Sequence, residues 1–159
     1  MKKVGIGLLV ILLFLQAYRP AKNDSNKLDN DISKSYAVPD DVKQILAKAC
    51  YDCHSNNTTY PWYNNIEPVG IWLANHVNDG KRHLNFNEFS SYKIARQYKK
   101  LDECIQEVKE NEMPLESYTW IHKEAKLNEI EKQKLFDWCT SVRDTIKARY
   151  PADSLVLPK

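Results

Sequence analysis

No charge of one sign dominates this 159-residue sequence. Its formal net charge is +2, but residues 1–21 carry three bases and no acid, which leaves 20 Lys and Arg against 21 Asp and Glu in the rest. A balance this even excludes the basic face that nucleic acid requires. Sustained strand alternation is absent too, which excludes a half-buried sheet. There is no internal repeat and no low-complexity block, so a repeat architecture is excluded. Glycine is scarce, with four residues, and no acid–base pair stands out; both speak against an enzyme. No cysteine lies near the N-terminus, which excludes a lipoprotein anchor. The mean hydropathy is low at −0.59, yet nine Tyr and four Trp supply burial area that hydropathy scales undervalue.

The chain opens MKKVGIGLLVILLFLQAYRP. Two lysines before an apolar run read as an export signal, and the positive-inside rule puts the remainder outside the cytoplasm. The run is short against the roughly 20 apolar residues of a span. No small-x-small cleavage site follows it, and Arg19-Pro20 stands where one would be needed. We expect residues 1–19 to be a signal sequence or an uncleaved anchor, with the missing site favouring the anchor. The protein then sits on the periplasmic side of the bacterial inner membrane or is secreted to the periplasm. Residues 20–38 are polar and read as a flexible linker with a reach of roughly 25 Å. A single domain is expected over 39–150, with a tail over 151–159.

Helical periodicity fills that domain. Pro39 and two acids open a first helix, with Val42, Ile45, Leu46, Ala49 and Cys53 on one stripe, that runs into CYDCH. SNNTTYPWYNN is loop. Pro68 opens a second helix, with Val69, Trp72, Leu73, His76 and Val77 on one face and Gly80 as its stop. KRHLNFNEF reads as a connector. A third helix is expected from Phe89 to Glu110 on Ile94, Tyr98, Leu101, Ile105 and Val108. Asn128 and Glu131 form a capping box before a last helix to Tyr150 carrying Leu135, Trp138, Cys139, Val142 and Ile146. The fold class is all-α, about four helices with long loops. Such loops need a surface to pack on, and a large planar cofactor provides one.

The chemistry concentrates in CYDCH, residues 50–54. In C-x-x-C-H two thiols add across the vinyl groups of haem and the adjacent histidine is placed to ligate iron. A zinc site needs four ligands, and the remaining cysteines, Cys104 and Cys139, stand alone. A thioredoxin-like dithiol needs a βαβ context, and none is visible. Cys50 and Cys53 are therefore the candidate thioether sites and His54 the candidate proximal iron ligand of one covalent haem c.

CYDCHSNNTTYPWYNNIEPVGIWLANHVNDGKRHLNF, then MPLESYTWIHKEAKL and a closing LFDW, resemble the family of small exported haem-binding domains related to c-type cytochromes. The resemblance runs from Val42 to Trp138. The ordered blocks C-x-x-C-H-S-N, Y-P-W-Y, H-V-x-x-G and M-P-L-x-x-Y are far more specific than C-x-x-C-H alone. The resemblance implies one covalent haem and a cytochrome c-like helical fold, without implying a defined physiological reaction.

The second axial position has several candidates. Met113 is followed by Pro114, which holds it in an extended loop from which a thioether can reach sideways; a core filler is the competing role. This sequence resembles small cytochromes c there. His76, on an apolar helix face, is the alternative ligand. His83, Lys81 and Arg82 form a candidate propionate clamp, Arg82 foremost. His122 is a weaker candidate packed against the ligand loop. Tyr60, Trp62, Tyr63, Tyr118 and Trp120 are expected to wall the haem. Cys104 and Cys139 are a candidate disulfide or two buried thiols. The expected function is single-electron transfer to redox partner proteins, with membrane contact through the N-terminal segment. A haem enzyme or gas sensor with a displaceable sixth ligand, and a domain in which haem is only structural, are the competing classes.

Overall fold

The computed structural model describes residues 2–157; residues 1 and 158–159, at the ends of the expected N-terminal segment and C-terminal tail, lie outside it. Seven α-helices follow in order: α1 (Lys2–Leu15), α2 (Asp40–Ala49), α3 (Tyr51–His54), α4 (Val69–His83), α5 (Ile94–Lys109), α6 (Glu116–Thr119) and α7 (Glu129–Arg149). Short 3₁₀ turns link them. Among the described residues no strand forms, and one isolated bridge joins Asp24 to Asn57. The chain is all-helical.

Four long helices build the domain. α7 buries Leu135, Trp138, Cys139, Val142 and Ile146, the i, i+3, i+4 spacing of a single stripe. Its start is the expected capping box: Asn128 Oδ1 accepts from Glu131 N at 2.9 Å, and Glu131 Oε2 accepts from Asn128 N at 3.0 Å. α5 lies against it and buries Leu101 and Val108. α2 buries Val42, Ile45, Leu46 and Ala49. Phe86 and Phe89, in the turn between α4 and α5, complete the centre.

Several expectations need correction. The third helix begins at Ile94, because residues 86–91 take a 3₁₀ turn. α4 passes through Gly80 to His83, and it buries Gly70, Ala74 and Val77 while Val69 and Trp72 stay exposed. Its small residues face inward because α3 and the turn Trp62–Asn65 approach its backbone closely. A Cβ on Gly70 would stand 2.4 Å from the Asn64 carbonyl oxygen.

The segment expected as a flexible linker is packed. Ile32, Tyr36 and Val38 belong to the core. The Trp138 indole donates to the Ala37 carbonyl at 3.0 Å, and the Tyr36 hydroxyl donates to Gln97 at 2.6 Å. Asn23 donates through Nδ2 to the Ser55 carbonyl and to Thr58 Oγ1, each at 2.9 Å. Its polar composition serves the backbone of the loop after His54, and three apolar side chains suffice to anchor it. The tail is likewise partly fixed: residues Ala152–Leu155 turn back and Leu155 packs on the core.

α1 stands apart. It is apolar on all sides and none of its side chains is buried. Its 14 residues span about 21 Å at 1.5 Å each, against about 30 Å of bilayer hydrocarbon. Among the described residues, no helix is long and apolar enough to cross a membrane.

Candidate cofactor site

α2 does not run unbroken into CYDCH. Cys50 breaks it at φ −127°, ψ −42°. The Cys50 carbonyl then accepts from Cys53 N at 3.2 Å and His54 N at 2.9 Å, so the motif forms a tight turn of its own. Cys50, Cys53 and His54 all line one cavity of ≈ 360 Å³, within the roughly 300–1,000 Å³ usual for cofactor sites. α4 crosses this turn at Gly80, where a Cβ would stand 2.7 Å from the Cys53 carbonyl oxygen. Glycine permits that approach because it has no Cβ.

His54 is oriented by the backbone. Its Nδ1 lies 2.9 Å from the Leu84 carbonyl oxygen. A carbonyl only accepts, so Nδ1 carries the proton and the Nε2 lone pair is left free. Burial lowers the His54 pKa; the backbone hydrogen bonds to Leu84 and Gly80 oppose it, and the nearby charges of His83 and Lys100 add to the lowering. A lowered pKa favours the neutral ring that metal ligation requires. Burial pushes the Cys53 thiol up to about 11 and the Cys50 thiol further. A redox dithiol needs the opposite, a lowered thiol pKa. Among the described residues no group of three or more His, Cys, Asp or Glu is placed to hold a metal ion.

The cavity is apolar on most sides, walled by Ala49, Leu84, Phe86, Val108, Leu115 and Leu127, with Lys100, Glu103 and Glu107 of α5 among its polar groups. After α5 the chain doubles back: Met113 N donates to the Glu107 carbonyl at 3.1 Å. That fold-back brings Met113 and Pro114, joined by a cis peptide, to the cavity. His76 and His83 line it as well. His76 Nδ1 donates to the Trp72 carbonyl at 2.9 Å. His122 points elsewhere: its Nε2 meets the Tyr63 hydroxyl at 3.0 Å and its ring stacks on Tyr118, with centroids 4.5 Å apart.

Of the expected aromatic wall, only Tyr118 lines the cavity. Its hydroxyl donates to Asp52 Oδ2 at 2.7 Å; burial and this bond raise its pKa, so it stays a donor. Tyr60 accepts from Asn23 N at 2.8 Å, outside the cavity. Tyr63 is engaged by His122. Trp62 is 76% exposed and Trp120 68%. Leu84, Phe86, Val108, Leu115 and Leu127 line the cavity instead. Arg82 is also misplaced: it lies exposed, paired with Asp79 at 2.5 Å on its own helix. Lys81 binds Asn23. The lysine at the cavity is Lys100, held by Glu103 at 2.5 Å. Its sequence signal was the polar stripe Lys100, Glu103, Glu107 flanking the apolar face of α5. The Leu84 carbonyl left no sequence signal, since any residue supplies one.

Cys104 and Cys139 are free thiols in this structure rather than a disulfide. The buried Cys139 thiol is pushed up by its hydrogen bond with Cys104 and by burial.

A family model described as a haem-binding domain matches residues 10–141. No curated protein and no solved structure matches the chain.

Proposed function

The chain belongs to the haem-binding domain family, and from that premise we propose that it holds one haem c covalently, in a cytochrome c-like fold, and transfers single electrons outside the cytoplasm. The observation that carries this reading is the convergence of Cys50, Cys53, His54 and Met113 on one apolar cavity, with His54 turned by Leu84 so that Nε2 is free. The residues fit the group. Cys50 and Cys53 would each form one S–C bond to a vinyl carbon, the thiol proton going to the neighbouring carbon. His54 Nε2 would donate its lone pair to the iron from the same turn. Met113 would supply a second iron ligand, its thioether favouring the reduced metal. Bound haem supplies a one-electron couple of its iron. Lys100 would have to exchange its Glu103 partner to pair with a propionate, and the apolar wall would exclude water, which tunes the potential. The partners would be redox proteins at the periplasmic face of the inner membrane, with α1 as the membrane element.

A second reading has one observation in its favour. His76 lines the same cavity and uses Nδ1, not Nε2, on the Trp72 carbonyl, which suits a sixth ligand or the distal group of a haem enzyme or sensor. The spectrum separates the two. Protein matured with a haem-attachment system should gain the mass of one haem and give a c-type pyridine haemochrome; the mass of the bare polypeptide would refute covalent attachment. A low-spin spectrum with the weak red methionine-to-iron band is expected, and Met113→Ala should abolish that band. A low-spin parent spectrum that lacks the band would instead move the ligand to His76 or His83, and its persistence in Met113→Ala would refute Met113 as its source.

A further inference from the structure

Three of the four tryptophans are not in the core. Trp62, Trp72 and Trp120 are exposed, together with Ile66, Val69 and Ile121. The segments that carry these side chains lie close together. The turn Trp62–Asn65 packs against the start of α4, where Asn64 O lies over Gly70. The Tyr63 hydroxyl meets His122 at 3.0 Å, which draws the 120–122 loop to the same place. Val69 and Trp72 lie one turn apart on the exposed side of α4, and the Trp72 ring stands 4.2 Å from that of His76 at the cofactor cavity.

α1 is fastened to the same region. Gln16 makes a double clasp on the backbone of Glu67: Nε2 donates to the Glu67 carbonyl at 2.9 Å and Oε1 accepts from Glu67 N at 3.1 Å. Arg19 approaches the buried Glu67 carboxylate at 3.7 Å, and Glu67 Oε2 caps the start of α4 by accepting from Ile71 N at 2.8 Å. The clasp therefore sets the direction in which α1 leaves the domain. A helix that is hydrophobic all round is covered on all sides in its working state. A protein partner covers one face; lipid surrounds the helix. Fourteen residues reach about 21 Å, so α1 alone leaves a hydrophobic span of about 30 Å short.

We propose that the exposed face formed by Trp62, Ile66, Val69, Trp72, Trp120 and Ile121 rests on a lipid bilayer beside the point where α1 enters it. Tryptophan favours the headgroup level, where an apolar ring and a polar N–H are both satisfied. The face widens the footing of a short helix and brings the His76 edge of the cavity next to the membrane surface. This inference rests on the reading of α1 as a lipid-seeking element.

The test is sedimentation of the full-length haem-loaded protein with vesicles of phosphatidylcholine and phosphatidylglycerol at 3:1. Trp62→Ser with Trp72→Ser should lower the partition coefficient about tenfold or more, as loss of two partly buried rings implies. Leu9→Asp with Leu12→Asp should weaken binding separately, and the four changes together should abolish it. Unchanged partition in the tryptophan pair, in both the parent and the Leu9/Leu12 background, would overturn the lipid-facing patch while leaving α1 intact. Unchanged partition in the leucine pair would overturn the reading of α1. Hydrogen exchange of the unmodified protein decides even if a variant loses its haem: vesicles should protect residues 62–73 and 118–122. Binding without that protection overturns the proposal and leaves the face to a protein partner.

Discussion

Gly80 and Tyr118 illustrate how single side chains hold the site. α4 meets the Cys53 carbonyl at Gly80, and the neighbour is backbone, which cannot rotate away. Gly80→Ala should therefore cost about 1–3 kcal/mol through overpacking, measured by urea unfolding, and should lower the haem content read by pyridine haemochrome. A variant with parental stability would mean that the two helices separate freely. Tyr118 joins the 115–122 loop to the second variable residue of CYDCH. Tyr118→Phe keeps the stacked ring and removes the donor to Asp52, a loss of about 1–2 kcal/mol for a half-buried bond to a charged acceptor. Thermal unfolding should show the loss, and hydrogen exchange should quicken over 113–122. Unchanged exchange would detach the loop's order from this bond. Both residues stood in the sequence as ordinary symbols: Gly80 read as a helix stop and Tyr118 as one ring among five. The chain partner of each is distant, which local spacing does not encode.

At the level of elements, α7 and the segment before α2 make the contrast. α7 was legible to the residue, because its buried stripe and its Asn128–Glu131 cap are both local patterns. The 20–38 segment was not. Its polar residues resemble those of a flexible tether, and the hydrogen bonds that fix Asn23, Tyr36 and Ala37 are made to residues 32 to 101 positions away. Ile32, fully buried, discriminates between the two descriptions. Ile32→Ala should destabilise the protein by about 2–4 kcal/mol in chemical denaturation, whereas a tether would lose nothing. The break of α2 at Cys50 escaped sequence reading for a related reason. The periodic stripe continues through Cys53, while the turn that sets both thiols at the cavity is a matter of backbone angles.

The whole molecule responds to acid through carboxylates that tie its parts together. Lys48 and the Asn128 amide hold the Glu131 carboxyl below its ordinary value of 4.5, joining α2 to α7. Asn56 and Asn30 do the same for Glu88, joining the 20–38 segment to the loop after His54. A depressed folded pKa contributes stability that is complete above 4.5 and is lost as pH falls through the lower folded value. Thermal midpoints should therefore drop between pH 5 and pH 3. Glu131→Gln should be less stable than the parent at pH 6 and converge with it near pH 3; a constant gap across that range would place the contribution elsewhere.

The sequence by itself determined the all-helical class, the stripe and cap of α7, and the grouping of Cys50, Cys53 and His54 within five residues. These are local quantities, written in spacing and in adjacent residue types. The tertiary structure alone decided the orientation of His54 by Leu84, the return of Met113 over the end of α5, and the wall of Leu84, Phe86, Val108, Leu115 and Leu127 in place of Trp62, Tyr63 and Trp120. It also decided that Arg82 stays at the surface while Lys100 reaches the cavity. Most of these depend on which distant part of the chain lies opposite a given side chain, and that is fixed only when the helices pack.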